Sequence, residues 1–510
     1  MQNQTLKTMI ANIFTLTLVL LAAITQASAE QPRPNILWIL SEDLSPFLGC
    51  YGDPVNTGHT PTLDRLASRG VLFTRAYSPA PVCSACRSAL ITGLMQTSTG
   101  THNHRSSRAP EGEIVPESAR IYLPEKIQTL PELMKAAGYF TFNSGKDDYN
   151  FHYDRRALYD VGTEENYVAG MNGWQGNKAI DFLEFTVANW TQRPDKNQPW
   201  FGQMQLMGGK AKAKHVRPGE KLKDKETQLP PYFPDTPAHR EAWTRHYNAV
   251  RGADARVERL LAQLKMDGEL ENTIVFFFSD HGSNSSLRHK QFCYEGGLHV
   301  PLIVHGKHPK LEAGTVRPEL VTLLDVTATT LALAQAEVPE YYGGQDLFAD
   351  DYRPVGHVIG ARDRCDFTID RIRTVRTNKF RYIRNYFPDR PLMQPAYRDK
   401  HQVVKDLKRL HGSGELTKFQ DNHWFGSRPV EELYEIASDP HQLNNLALED
   451  DYQVILAEHR LLLNNWSKDS KDLGKQPEAV EKLIGTYELW KDNPVFGGQN
   501  VNPEYKQFQK

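Results

Sequence analysis

The chain has 510 residues, 39% hydrophobic and 24% charged, with 35 Gly and 31 Pro. That is the make-up of a globular protein long enough to bury a substantial core, in one large domain plus a smaller one or in two to three medium ones. Its 60 basic and 62 acidic residues leave a formal net charge of −2, so no global basic field points to nucleic acid, and five cysteines are too few for a disulfide scaffold.

Lys7 is the only charge before Glu30, and it precedes an apolar run from Ile13 to Ile24 and then Ala27-Ser28-Ala29. A positive start, a short apolar stretch and a small-x-small end predict a secretory signal peptide over residues 1–29, cleaved after Ala29. The run is short for a membrane anchor, and no cysteine near the cleavage point suggests a lipoprotein. Cleavage removes Lys7 and no acid, which moves the net charge from −2 to −3. No other long apolar run follows, so the mature protein is expected to be secreted, most simply to a periplasm, with no membrane contact. An odd cysteine count in a secreted chain raises the question of one thiol kept as a reactive group.

Asn35–Leu40 reads as a buried strand, with Glu42-Asp43 just past its end. Thr62–Ala67 has helical spacing and stops at Gly70, and Val71–Phe73 is a second strand. Leu130–Gly138 reads as a helix with Pro131 in its first turn and Gly138 at its end, feeding a strand at Tyr139–Phe142 and then Gly145-Lys146. Trp200–Leu206 is a further strand. A long helix carries Trp243, Tyr247, Val250, Val257, Leu260, Leu261 and Leu264 on one stripe and ends at Gly268. Thr273–Phe278 is the clearest buried strand, followed by Val300–Val304. Strands alternating with helices predict an α/β domain with a mostly parallel sheet covered on both faces. After about residue 350 a hairpin, Arg373–Arg376 and Phe380–Arg384, and a late helix near Tyr452–Trp466 predict a smaller α+β region. Arg376, Lys379, Arg381 and Arg384 read as a solvated hairpin face.

Ligands of α/β sheets sit beyond the carboxyl ends of the strands. Two such ends carry acids, Glu42-Asp43 and Asp280-His281-Gly282. Each reads alone as a helix cap; together they offer the oxygen ligands a hard divalent cation wants. The segment Pro81-Val82-Cys83-Ser84-Ala85-Cys86-Arg87, continuing to Ile91-Thr92-Gly93, carries a Cys-x-x-Cys spacing open to a redox or metal reading, although no second pair follows.

That segment resembles the type I sulfatase signature, Cys-x-Pro/Ala-x-Arg followed by a short helix ending in Leu-Thr-Gly: Cys83, Ala85 and Arg87 fill the pattern and Ile91-Thr92-Gly93 its tail. The resemblance extends over nearly all of residues 34–470. Ile36–Asp43 is similar to the family's first strand, with Glu42 where relatives have an aspartate. Tyr139–Lys146 resembles the Gly-Lys-Trp-His segment, with Asp148 in place of its histidine. Phe278–Gly282 resembles the second metal segment and Lys290–Gly296 the Lys-x-x-x-Tyr-Glu-Gly segment. Glu432-Leu433-Tyr434, Asp439-Pro440 and Asn445-Leu446 resemble the C-terminal subdomain.

The resemblance implies an alkaline-phosphatase-like α/β domain over 34–350 and an α+β subdomain with an antiparallel sheet over 351–497. It implies that a maturation enzyme oxidises Cys83 to formylglycine, whose hydrated aldehyde attacks sulfur and then expels sulfate by collapsing to the aldehyde. Ca²⁺ would be held by Glu42, Asp43, Cys83, Asp280 and His281, with Arg87, Lys146 and Lys290 neutralising the sulfate. Relatives carry a histidine after the strand equivalent to Phe201–Leu206 to protonate the leaving oxygen. Here either Lys210 or His215 is the counterpart, with His215 nearer the ideal pKa. The run Lys210, Lys212, Lys214, His215 and Arg217 reads equally as a solvated loop or as an attractor of anionic substrate. His102, His104 and Arg105, and Arg362 and Arg364, lie where relatives place substrate-reading groups. The implied substrate is a sulfated carbohydrate such as carrageenan, ulvan or glycosaminoglycan fragments, and Tyr232–Pro237 is similar to heparan N-sulfatase relatives. Two other readings stand beside this one, a phosphate-ester hydrolase of the same fold and a non-catalytic binder of sulfated glycans.

Overall fold

The structure is a computed structural model that describes residues 33–106, 117, 120–161, 189–211, 213, 215–492 and 503–508. The signal-peptide segment, Lys212 and Lys214 lie outside the described residues. Among the described residues no helix is long and apolar enough to cross a membrane.

Seven strands form the larger sheet: β1 (Asn35–Ser41), β2 (Val71–Tyr77), β3 (Phe140–Ser144), β4 (Trp200–Leu206), β5 (Thr273–Phe278), β6 (His299–His305) and β7 (Thr315–Thr322). Their order is β3-β4-β1-β5-β6-β2-β7. All pairs are parallel except the two that β6 makes with β5 and β2. The interiors of β1, β5 and β6 are continuous apolar runs because both faces of the sheet are covered there. All seven residues of β1 are buried at the sheet centre, where Trp38 packs edge-on against Phe201 and Phe278, each with centroids 5.3 Å away. Its indole N–H donates to Thr330 Oγ1 at 2.9 Å, so burying the ring leaves no orphan donor. Gly202 makes room for Phe142, whose ring a Cβ there would strike at 2.0 Å.

This topology positions the site. Since β6 runs against both neighbours, β2 points the same way as β5, and therefore as β1, β4 and β3. With β7 parallel to β2, six strands thus end at one edge of the sheet, and the loops after β1 to β5 carry Glu42-Asp43, Cys83, Lys146, Lys210 and Asp280-His281 to that edge.

A separate antiparallel sheet of four strands, β8 (His357–Arg362), β9 (Ile372–Thr377), β10 (Phe380–Asn385) and β11 (Glu431–Glu435), has the order β11-β10-β9-β8. The helix Gln453–Asp469 packs on it through Leu456 and Leu463 beside Val375, Tyr382 and Leu433. The hairpin is as expected, and Lys379 and Arg384 on it are exposed or partly so, but Arg376 and Arg381 are not solvated. Arg376 and Arg381 are cross-strand partners, and both turn inward onto the carboxylate of Glu295, with Arg376 Nε at 2.7 Å and Arg381 Nη2 at 2.7 Å. Tyr77 donates to the same carboxylate at 3.0 Å. An internal acid recruits these arginines, which a pattern of alternating charges cannot reveal.

Burial alone would raise the Glu295 pKa, but Arg381 and Arg376 overcome it and bring it down to about 2. A carboxyl whose folded pKa lies below its unfolded value contributes stability above the unfolded pKa and loses it as pH falls toward the folded one. Glu295→Gln is therefore expected to destabilise the protein at pH 7 and to flatten its stability loss between about pH 4.5 and 2. Urea denaturation across that window checks this, and an unchanged pH profile would refute the linkage.

Candidate active site

Cys83 is the first residue of the helix Cys83–Thr92, all ten residues of which are buried. Val82 precedes it in extended conformation and Gly93, at φ 67°, ends the helix. The thiol therefore sits where the first N–H groups of a helix face outward, a setting that favours negative charge. Lys290 Nζ lies 3.1 Å from Cys83 Sγ and His281 Nε2 also 3.1 Å. Glu42 Oε1 and Asp43 Oδ1 approach the sulfur at 3.6 and 3.7 Å. Burial pushes the thiol up, but Lys146, Lys290, His281 and Lys210 outweigh it and set its pKa at about 7. Cys86, one turn on, instead bonds the Asp280 carbonyl at 2.9 Å and accepts from Ser78, and burial pushes its pKa up. The two thiols thus have different partners, and all five cysteines are unpaired.

Asp280 is the hub of the site. Its Oδ1 accepts from the backbone N–H of Asp43 at 3.0 Å and of His281 at 3.1 Å, and its Oδ2 from Arg87 Nε at 3.0 Å. Arg87 Nη1 donates to the Lys146 carbonyl at 3.0 Å and to Gln205 Oε1 at 2.8 Å, while Nη2 is buried with no partner. A buried guanidinium N–H left over one helical turn after Cys83 is a donor in want of an anion. Lys146 pairs with Glu42 and, at 2.8 Å, with Asp148. Lys210 reaches Glu42 at 2.8 Å and Asp43 at 3.6 Å, and Lys290 holds Asp43 Oδ1 at 2.9 Å. Despite burial, Lys146 and Lys210 hold Glu42 well below the usual carboxylate range, and Lys210 and Lys290 do the same for Asp43.

Two glycines make the Lys210 contact possible. A Cβ at Gly208 would stand 2.1 Å from the Glu42 carbonyl oxygen, and one at Gly209 2.1 Å from that of Asp43. Only bare backbone lets the β4 loop lie this close to the β1 loop. Left-handed backbone at side-chain-bearing residues gathers here too, with φ of 54° at Asp43, 62° at Arg105, 56° at Asp148 and 74° at Gln291. Such strain persists where packing over-determines the backbone.

Ligand atoms of Asp43, Cys83, Asp280 and His281 all lie within 4.8 Å of one another and are buried. The His281 Nδ1–H donates to the Gly282 carbonyl at 2.9 Å, which turns Nε2 toward Asp43 and the thiol. Burial opposes a charge on this imidazole, but Asp280 and Cys83 raise its pKa, so a cation would displace the proton on Nε2. The donor set fits a divalent cation. With a thiol it is borderline-soft, and with oxygen in place of sulfur it becomes hard. Glu42 stands outside this group of four, beside the sulfur and between two lysines.

The structure thus gathers Glu42, Asp43, Cys83, Arg87, Lys146, Lys210, Asp280, His281 and Lys290. Of the two candidate proton donors, Lys210 reaches the centre, whereas His215 is buried against Gly252 of the helix Pro237–Met266. The residues singled out for substrate contact have internal partners. Arg362 bonds Asp370 and Gln394, Arg364 forms a two-pronged pair with Glu478, and His104 is buried beside Asp366. Arg105 pairs with Asp366 at 2.9 Å but keeps 18% of its side chain exposed and covers the ring of Tyr397. Sequence reasoning missed Gln205, Gly208-Gly209 and Gln291. For Gln205 a signal existed, since two glutamines two apart inside an apolar strand share one buried face.

The Sulfatase family model matches residues 34–336. An ulvan-active sulfatase of Formosa agariphila is 31% identical over 92% of this chain and 79% of its own length. N-sulphoglucosamine sulphohydrolase of Homo sapiens is 26% identical over 87% of this chain and 91% of its own. A protein solved in complex with its substrate D-glucosamine-2-N,6-O-disulfate shares the fold at a TM-score of 0.57 and 19% identity, covering 86% of this chain and 98% of that one. By that family match and these relatives the chain belongs to the sulfatases, hydrolases of sulfuric esters.

Proposed function

We propose that this sulfatase removes sulfate from a sulfated carbohydrate, using a formylglycine made from Cys83 as nucleophile and one Ca²⁺ per chain. The observation that carries this reading is the setting of Cys83, at a buried helix start, with Lys290 and His281 each 3.1 Å from its sulfur and the unpartnered Nη2 of Arg87 nearby. The relatives that act on ulvan and on sulfoglucosamine support a sulfated polysaccharide or oligosaccharide as substrate.

In this reading Asp43, Asp280, His281 and the converted Cys83, together with Glu42, would hold the cation, which would supply Lewis-acid charge. Formylglycine, when present, supplies the attacking oxygen. The chain's own groups do the rest. Arg87 Nη2, Lys146 and Lys290 bind the sulfate oxygens and offset the charge that grows on them in the transition state. Asp148, 2.8 Å from Lys146 Nζ, orients that lysine in the place where relatives carry histidine. Lys210 stands over Glu42 and Asp43 as the donor to the leaving oxygen, a role shared in the sequence reading with His215. Of the four residues expected to read the sugar, Arg105 is the most exposed and would meet it, while Arg362, Arg364 and His104 are held by Asp370, Glu478 and Asp366. Residues 34–350 form the catalytic domain and 351–497 the subdomain, and the enzyme is exported by a signal peptide over 1–29 after meeting a formylglycine-generating enzyme.

The mass of the tryptic peptide containing Cys83, from protein made in its native host, tests this directly. A peptide lighter than the cysteine form by roughly 18 Da supports conversion to the aldehyde. An unconverted thiol from a host that matures sulfatases overturns the formylglycine mechanism.

A further inference from the structure

The loop after β5 that carries Lys290 is held from two sides. On one side, Lys290 N–H donates to the Ser283 carbonyl at 3.1 Å, and the Gln291 N–H donates to the Pro81 carbonyl at 2.7 Å, two residues before Cys83. On the other side stands Arg398, in the short turn Tyr397–Lys400 that the smaller domain extends toward the centre. Its guanidinium donates to the Ser286 carbonyl at 3.4 Å, the Lys290 carbonyl at 3.2 Å and Gln291 Oε1 at 2.9 Å. Arg398 is only 4% exposed, and the acceptors it meets here are two carbonyls and an amide, none of them a carboxylate. Burying a charge without a counter-charge is costly, so what this position uses is the rigid fork of donors. The fork spans both ends of a segment whose Gln291 is held at φ 74°, a conformation that side-chain-bearing residues adopt only under constraint. The neighbouring ring of Tyr397 lies 6.0 Å from Lys290 Nζ.

We infer that Arg398 is a positioning residue, through which the smaller domain sets Lys290 against Cys83 and ties the lysine loop to the cysteine loop through Gln291 and Pro81. The inference rests on Lys290 having the catalytic role given to it under Proposed function. It assigns the second domain a part in catalysis that contact with substrate does not explain. Lys290 Nζ must stay within 3.1 Å of the sulfur position and 2.9 Å of Asp43, and a backbone free to relax at Gln291 would let the side chain swing away.

Arg288 provides an internal control. It lies in the same loop, is equally buried, and docks the same two domains through the carbonyls of His441 and Gln442, the latter at 2.6 Å. A purely structural role for Arg398 would make the two arginines equivalent. Calcium-loaded enzyme from a maturing host would be assayed for sulfate release from ulvan oligosaccharides, with kcat, KM and Tm measured for each variant. Arg398→Met is expected to lower kcat by about 10- to 100-fold, the usual loss when the partner that orients a functional group is removed, with KM within about twofold. Arg398→Lys should recover part of that loss, and Arg288→Met should lower Tm while its folded fraction keeps its kcat. In a Lys290→Met background, Arg398→Met should cost nothing further, because both act through one group. Wild-type kcat in Arg398→Met, or a loss that follows Tm as in Arg288→Met, overturns the inference while leaving Lys290 catalytic. Full activity in Lys290→Met overturns the role of the lysine, and this inference with it.

Discussion

Cys83→Ala is expected to fold as the wild type does and to release no measurable sulfate, a loss of at least about 10⁴-fold, the scale on which removing a covalent nucleophile acts. Folding should survive because the thiol's neighbours keep other partners. Lys290 still pairs with both oxygens of Asp43, at 2.9 and 3.2 Å, and His281 still holds the Gly282 carbonyl. The change removes one atom from a side chain 1% exposed, and stability should stay within about 1 kcal/mol of wild type. Urea denaturation and sulfate release measured on the same preparation separate the two effects. Retained turnover would end the nucleophile assignment outright.

Asp280→Ala should do the opposite and damage everything together. One carboxylate accepts from Asp43, His281 and Arg87, so its loss frees two backbone N–H groups and leaves the buried Arg87 without its counter-ion. Removing one member of a buried ion pair costs about 3–5 kcal/mol, because the other charge stays desolvated. Metal content, measured by elemental analysis after dialysis, should fall along with activity, since a member of the four-residue ligand group is gone. Asp280→Asn keeps the shape and should recover much of the stability but not the activity. Wild-type metal content in Asp280→Ala would remove this residue from the cation site.

The contrast between these two variants reflects which parts of the molecule were legible in the sequence. Strands β1, β5 and β6 announce themselves because burial on both faces demands apolar runs, and Thr273–Phe278 reads plainly. The edge strand β7 does not. Its sequence Thr-Val-Arg-Pro-Glu-Leu-Val-Thr carries charges and a proline that only an edge tolerates, and its first five residues are partly exposed. The helix Leu323–Leu333, buried over nearly its whole length, shows no periodicity to find. Strand-end acids and the Cys83 segment mark the site because local chemistry fixes them. Arg362, Arg364 and His104 attract attention as cations and are held by Asp370, Glu478 and Asp366, acids that spacing alone cannot tell from a ligand. Arg398 acts on a loop more than a hundred residues upstream, a relation that no window along the chain contains.

The burial of Cys83 also sets a chronology. A side chain 1% exposed at the head of a wholly buried helix offers no purchase to another protein's active site. Any enzyme that oxidises this thiol must therefore find the segment Pro81–Arg87 while it is still an open strand of nascent or translocating chain. Folding then acts as a deadline. On the formylglycine proposal, molecules converted in time would close into finished catalysts, and those that fold first would stay inert until they unfold again. The yield of active enzyme would then be settled by a race between oxidation and collapse, so slowing the chain's passage or raising the oxidising partner should increase specific activity, whereas treating the purified protein should not.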